Sequence, residues 1–147
     1  MKISSDTLDV IHDYCEMEQL PQLSNLSFLH ACFQETTWEM LPTFLESCPN
    51  LRSFFLKLNW DPNRLVDLSS VPQCLQSSLE VLELETPYIL REGRSTHGTS
   101  SKMKLAKYFL ENCGALKEMI VSRNFFYLIH KIMSIPRRST GCEFFSF

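Results

Sequence analysis

Leu79-Glu80-Val81-Leu82-Glu83-Leu84 and Leu116-Lys117-Glu118-Met119-Ile120-Val121 carry one pattern, an apolar residue followed three and five positions later by two more. The same pattern reads as Leu23-x-x-Leu26-x-Phe28, as Leu51-x-x-Phe54-x-Leu56 and, more weakly, as Cys142-x-x-Phe145-x-Phe147. Its last two apolar positions lie two apart, which on an extended chain turns both side chains to the same face. Each copy therefore predicts a short strand with that pair in the core and a turn residue feeding it. Outside the pattern, Phe44-Leu45-Glu46-Ser47-Cys48-Pro49-Asn50-Leu51 aligns without gaps with Phe109-Leu110-Glu111-Asn112-Cys113-Gly114-Ala115-Leu116. A shared Phe-Leu-Glu-x-Cys-x-x-Leu is hard to obtain by chance, so the chain repeats internally.

The five copies start 28, 28, 37 and 26 residues apart, and three of these intervals fit the roughly 20–29 residues of a leucine-rich repeat. Between them the periodicity is helical: Trp38, Leu41 and Leu45 share a stripe, as do Leu8, Ile11 and Cys15, and Phe125, Leu128, Ile129 and Ile132. Met103–Leu110 is amphipathic with Gly114 as its stop, and Val71–Leu75 has room for about one turn. Thr36 and Glu39 have capping-box spacing, Asn124 stands where an N-cap would, and Pro42 and Pro136 mark a helix start and a stop. The long interval holds Arg91-Glu92-Gly93-Arg94-Ser95-Thr96-His97-Gly98-Thr99-Ser100, read as a polar surface-loop insertion. Strand and helix alternating at short period predict parallel strands joined by right-handed crossovers. The expected fold is thus α/β: a leucine-rich-repeat-like right-handed solenoid of about five short parallel strands, with helices on the convex side.

The 147 residues fit one domain, and a net charge of −3 gives no basic stripe for nucleic acid or an anionic membrane. No apolar run approaches the ~20 residues of a membrane helix. No apolar stretch follows Lys2, so no signal peptide is expected. The six cysteines (15, 32, 48, 74, 113, 142) are widely spaced with no Cys-x-x-Cys, and reduced thiols in the cytoplasm or nucleus are expected rather than disulfides. Asn25-Leu26-Ser27 matches a glycosylation signal, which without secretion has no consequence.

His12, His30, His97 and His130 are scattered over several elements. His12 and Cys15 have one-face spacing, but a buried thiol beside a surface imidazole explains the pair. Phosphate-cradling loops and hydrolase motifs are lacking, and with only four glycines the chain has little to build one from. Neither enzyme activity nor a cofactor is expected. Arg137-Arg138-Ser139-Thr140 has charges beside hydroxyls as a basophilic kinase would read them, but as the connector into the last strand it is expected to be a solvated turn. A binding surface follows from strand parity: Asn25, Ser27 and Leu29; Ser53, Phe55 and Lys57; Val81, Glu83 and Glu85; Glu118, Ile120 and Ser122. Of these Leu29, Phe55, Lys57, Val81, Glu83, Glu118 and Ile120 are the expected protein-binding residues, unless the insertion or Trp60 covers them.

Several segments resemble a known family. Val71-Pro72-Gln73-Cys74-Leu75-Gln76-Ser77-Ser78-Leu79-Glu80 is similar to the start of the FBD domain of plant F-box/FBD/LRR-repeat proteins. Lys102–Cys113 resembles that domain's middle helix, and Ile135-Pro136-Arg137-Arg138-Ser139-Thr140-Gly141-Cys142 its closing motif. Trp38–Leu51 resembles the last leucine-rich repeat ahead of it. The resemblance implies partial leucine-rich repeats over 1–66 and an FBD domain over 67–147 continuing the same solenoid. It also implies a protein-binding role like the substrate-recognition end of a cullin-type ubiquitin-ligase subunit. Nothing before Trp38 resembles an F-box, so docking to a Skp-type adaptor is not expected. The competing expectation is a truncated paralogue without a specific partner, for which an exposed N-terminal repeat edge would speak. A polar cap on Thr7–Glu18 would speak for the binding module.

Overall fold

Alternating burial along each strand, one side chain in and the next half out, builds a single open sheet of six parallel strands paired in chain order. The computed structural model describes residues 1–15, 17–59, 70–86 and 96–147, those at 96–101, 124, 126 and 127 by backbone alone. The strands are β1 (Lys2–Ile3), β2 (Phe28–Phe33), β3 (Ser53–Leu58), β4 (Val81–Glu85), β5 (Glu118–Val121) and β6 (Glu143–Ser146). Two rows run across its inner face in register. Leu29, Phe54, Leu82, Met119 and Phe144 form one; Ile3, Ala31, Leu56, Leu84, Val121 and Ser146 form the other.

Three of the five expected strand patterns hold this frame and two do not. In the first repeat the strand starts at Phe28, and the pattern that pairs with Leu51-x-x-Phe54-x-Leu56 is Leu26-x-x-Leu29-x-Ala31. Leu23 belongs to the preceding turn, its N–H bonded to Ser47 O at 2.7 Å. This odd-numbered slip exchanges the faces, so Leu29, expected on the binding side, is fully buried while Phe28 is exposed. In the last repeat Phe144, not Phe145, pairs with Met119, which leaves Phe145 and Phe147 exposed. Strand β1 was not anticipated because two residues carry no alternation.

The helices are α1 (Ser5–Cys15), α2 (Leu41–Glu46), α3 (Gln73–Ser77), α4 (Thr96–Asn112) and α5 (Ile129–Met133). Trp38–Leu45 was expected as one helix, but a 3-10 turn over Trp38–Met40 comes first. Pro42 accounts for the break: lacking an N–H, it is tolerated only in the first turn of α2. The Thr36/Glu39 capping box does not form. Thr37 flanks the turn instead, its Oγ1 accepting the Gln34 N–H at 3.0 Å. Asn124 lies inside a 3-10 turn (Arg123–Leu128) ahead of α5 rather than capping it. Of the expected insertion loop, Thr96–Ser100 is the first part of α4, and 91–95 lie outside the described residues.

Helix α4 ends two residues before Gly114, which does not take a positive φ. The glycine is there for space: a Cβ at this position would sit 3.0 Å from the Gln76 carbonyl oxygen of α3.

Leu8 of α1, Phe44 and Leu45 of α2, Leu75 of α3, Phe109 of α4 and Ile132 of α5 join the inner strand rows in one buried cluster. The Phe54 and Phe109 rings, 6.4 Å apart, tie the sheet to α4. Polar groups sew the strand starts together. Ser78 Oγ donates within reach of Leu51 O at 2.9 Å and Pro49 O at 3.2 Å. Arg52 and Lys117 both reach the Glu80 carboxylate, at 3.2 and 3.4 Å. The guanidinium hydrogen bond to Glu80 is the main cause of that carboxyl's lowered pKa.

Candidate protein-binding face

The helices take the inner rows, so the residues between them form the outer face of the sheet. Its central row is Lys2, His30, Phe55, Glu83, Ile120 and Phe145, each the direct partner of the next. Beside it run Phe28, Ser53, Val81, Glu118 and Glu143 on one side, and Cys32, Lys57 and Glu85 on the other. Six of the seven expected binding residues, Phe55, Lys57, Val81, Glu83, Glu118 and Ile120, lie here and are half-buried. Leu29 does not, and His30 holds its place.

Of the wider set, Asn25 and Ser27 precede β2 and Ser122 is buried, its Oγ accepting the Thr86 N–H at 3.4 Å. His30, Phe145 and Glu143 were missed; aligning Leu26-x-x-Leu29-x-Ala31 with the second repeat would have found the first. Trp60 lies outside the described residues.

The central row mixes aromatic and apolar side chains with Glu83, and the charges of the face are segregated. The His30 ring stacks 4.3 Å from Phe55, and burial, then Lys2 and Lys57, hold its pKa below 6.5. Lys57 Nζ lies 3.2 Å from the Glu85 carboxylate. Glu83, between Phe55 and Ile120, has its carboxyl pKa raised, first by burial and then by the Glu85 charge. Both lysines stand on β1 and β3, and all four glutamates on β4, β5 and β6.

Chemistry elsewhere is sparse. The four histidines fall on α1, β2, α4 and α5, and among the described residues no group of three or more His, Cys, Asp or Glu could hold a metal ion. Cys48, Cys74 and Cys113 are fully buried free thiols. Burial pushes the first two up to about 11 and about 12, and the third higher still. They are protonated core residues, not nucleophiles. The Arg137–Thr140 stretch does more than a solvated turn: Arg137 donates to Cys142 O at 2.6 Å and Ser139 Oγ to Leu116 O at 2.5 Å. No described helix is long and apolar enough to cross a membrane.

The outer side of α1 is not a uniformly polar cap. Asp6 and Asp13 are exposed there, but so are Val10, Tyr14 and, just beyond, Met17.

Comparison with known proteins places the sequence. Residues 67–121 match the FBD family, which includes the segments Val71–Glu80 and Lys102–Cys113; Ile135–Cys142 lies beyond the matched residues. The chain is similar to an F-box/FBD/LRR-repeat protein of Arabidopsis thaliana, 47% identical over 97% of this chain and 30% of that protein. A second Arabidopsis thaliana protein of that description is 42% identical over 97% of this chain and 32% of its own length. An FBD-associated F-box protein from the same plant is 40% identical over 99% of this chain and 32% of its own length. The chain thus spans about a third of the length of these relatives. No solved structure matches it.

Proposed function

We propose that this chain is a protein-binding module, with the outer face of its sheet as the docking surface and target recognition in a ubiquitin-ligase setting as its role. The observation that carries the reading is the half-buried row His30, Phe55, Glu83 and Ile120, apolar and charged side chains set in register on a face the helices leave open. Its relatives' descriptions include F-box and LRR-repeat, modules of protein interaction. In this reading the sheet and its helices are a short leucine-rich-repeat solenoid, with partial repeats over 1–66 continued by the FBD part over 67–147. Adaptor docking belongs elsewhere than in these residues, since nothing before Trp38 resembles an F-box. The chain works inside the cell, in the cytoplasm or nucleus, and as a binder rather than a catalyst.

The test is capture from plant extract on immobilised wild-type chain and on Phe55→Asp. Proteins held by the first and lost by the second, with an unchanged thermal melt, are the expected result. The same proteins on both would refute the face. A second reading, a chain with no specific partner, draws on the exposed Val10, Tyr14 and Met17 of the α1 side; it predicts no protein that distinguishes the two columns.

A further inference from the structure

Among the described residues, three carboxylates on one half of the outer face have no basic partner. Glu118 and Glu143 are direct cross-strand partners on β5 and β6, and Glu83 lies one row away on β4. Among the described residues none of the three has a basic group within 4.0 Å, whereas Glu85 has Lys57 and Glu80 has both Arg52 and Lys117. Like charges directly opposite on neighbouring strands destabilise a sheet, and a carboxylate half-buried beside Phe55 and Ile120 loses part of its hydration. The fold gives its other outer-face and strand-start glutamates a basic partner, and gives these three none among the described residues. Sites that hold unfavourable charge in the free protein are the ones a ligand of opposite charge relieves.

The same half-face holds Val81, Ile120 and Phe145 in alternation with the acids. Both lysines of the face lie on β1 and β3, so a cationic ligand is drawn to one side and turned from the other.

Resting on the docking reading above, we infer that the β4–β6 half of the outer face recognises a basic, extended segment of a partner protein. In that segment lysines or arginines meet Glu83, Glu118 and Glu143, and apolar side chains between them meet Val81, Ile120 and Phe145. Arginine fits best, because its planar fork bonds two carboxylate oxygens at once.

The test uses short labelled peptides alternating arginine with leucine, and matched peptides with glutamate for arginine, titrated against the intact chain. Binding of the arginine peptide alone, weakening with added salt, is expected. Glu118→Gln together with Glu143→Gln should weaken it about tenfold and raise the melting temperature of the free chain, because the repulsion is gone. Lys104→Gln, on the exposed side of α4, should leave affinity within about twofold.

Equal binding of the glutamate peptide, no binding of the arginine peptide, or unchanged affinity in the double variant would each overturn the inference. Those outcomes leave the docking reading to its own test: if Phe55→Asp still loses captured proteins, the face binds something other than a basic segment.

Discussion

His30 and Phe55 are cross-strand partners whose rings sit 4.3 Å apart, tilted by 40°. Partial burial first, then the charges of Lys2 and Lys57, favour the neutral imidazole, which is why its pKa falls below 6.5. A group whose folded pKa is depressed contributes stability that is present above its unfolded pKa and lost as pH falls through the folded one. Stability should therefore decline as the solution is acidified from 6.5 through the lowered His30 pKa, and His30→Gln should flatten that decline. NMR titration of the His30 ring checks the direction.

The register of β3 makes Phe54 and Phe55 unequal despite their adjacency. Phe54 is buried against Phe109 and Phe55 is half out. Phe54→Ala should cost about 3–5 kcal/mol in denaturant unfolding, and Phe55→Ala about 1 kcal/mol or less. Equal losses would mean the faces are exchanged.

Gly114 and Gly141 should respond oppositely to alanine. At Gly114 a Cβ meets backbone oxygen at 3.0 Å, while at Gly141 nothing lies within 4 Å. Neither takes a positive φ. Gly141→Ala should stabilise by about 0.5 kcal/mol through the unfolded chain. Gly114→Ala should lose about 1 kcal/mol, because α3 and the turn after α4 must move apart. Thermal melts distinguish the two.

Thiol labelling should proceed in two phases. Cys15 and Cys32 are half-buried with thiols raised by burial, whereas Cys48, Cys74 and Cys113 are sealed in the core and pushed up further. Mass spectrometry after brief alkylation should find the first pair modified and the core trio intact until the chain unfolds.

Where side chains repeat at long range, the fold was legible. Leu51-x-x-Phe54-x-Leu56, Leu79-x-x-Leu82-x-Leu84 and Leu116-x-x-Met119-x-Val121 place their strands in the correct register, and the intervening helices follow from apolar spacing. Where a repeat is degenerate, local pattern misleads. Leu23, Leu26 and Phe28 satisfy the same spacing as Leu26, Leu29 and Ala31, and only pairing with β3 decides between them. A small alanine in the true pattern made the false one look better.

The candidate face was legible to the same extent. Phe55, Glu83 and Ile120 follow from parity in the well-registered repeats, and Leu29 fails with its strand. The opposition of Glu118 and Glu143 could not be read in advance, because the last repeat was framed one residue late.

Site-directed photocrosslinking tests the central claim most directly. A photoreactive residue at position 55, on the outer face, is compared with one at Lys107 on exposed helical surface, each illuminated in the presence of captured partner. Crosslinks from position 55 and none from 107 are the predicted result. Crosslinks from 107 with none from 55 would contradict the account, placing the partner on the helical side and leaving the outer row of β2–β5 without the role assigned to it.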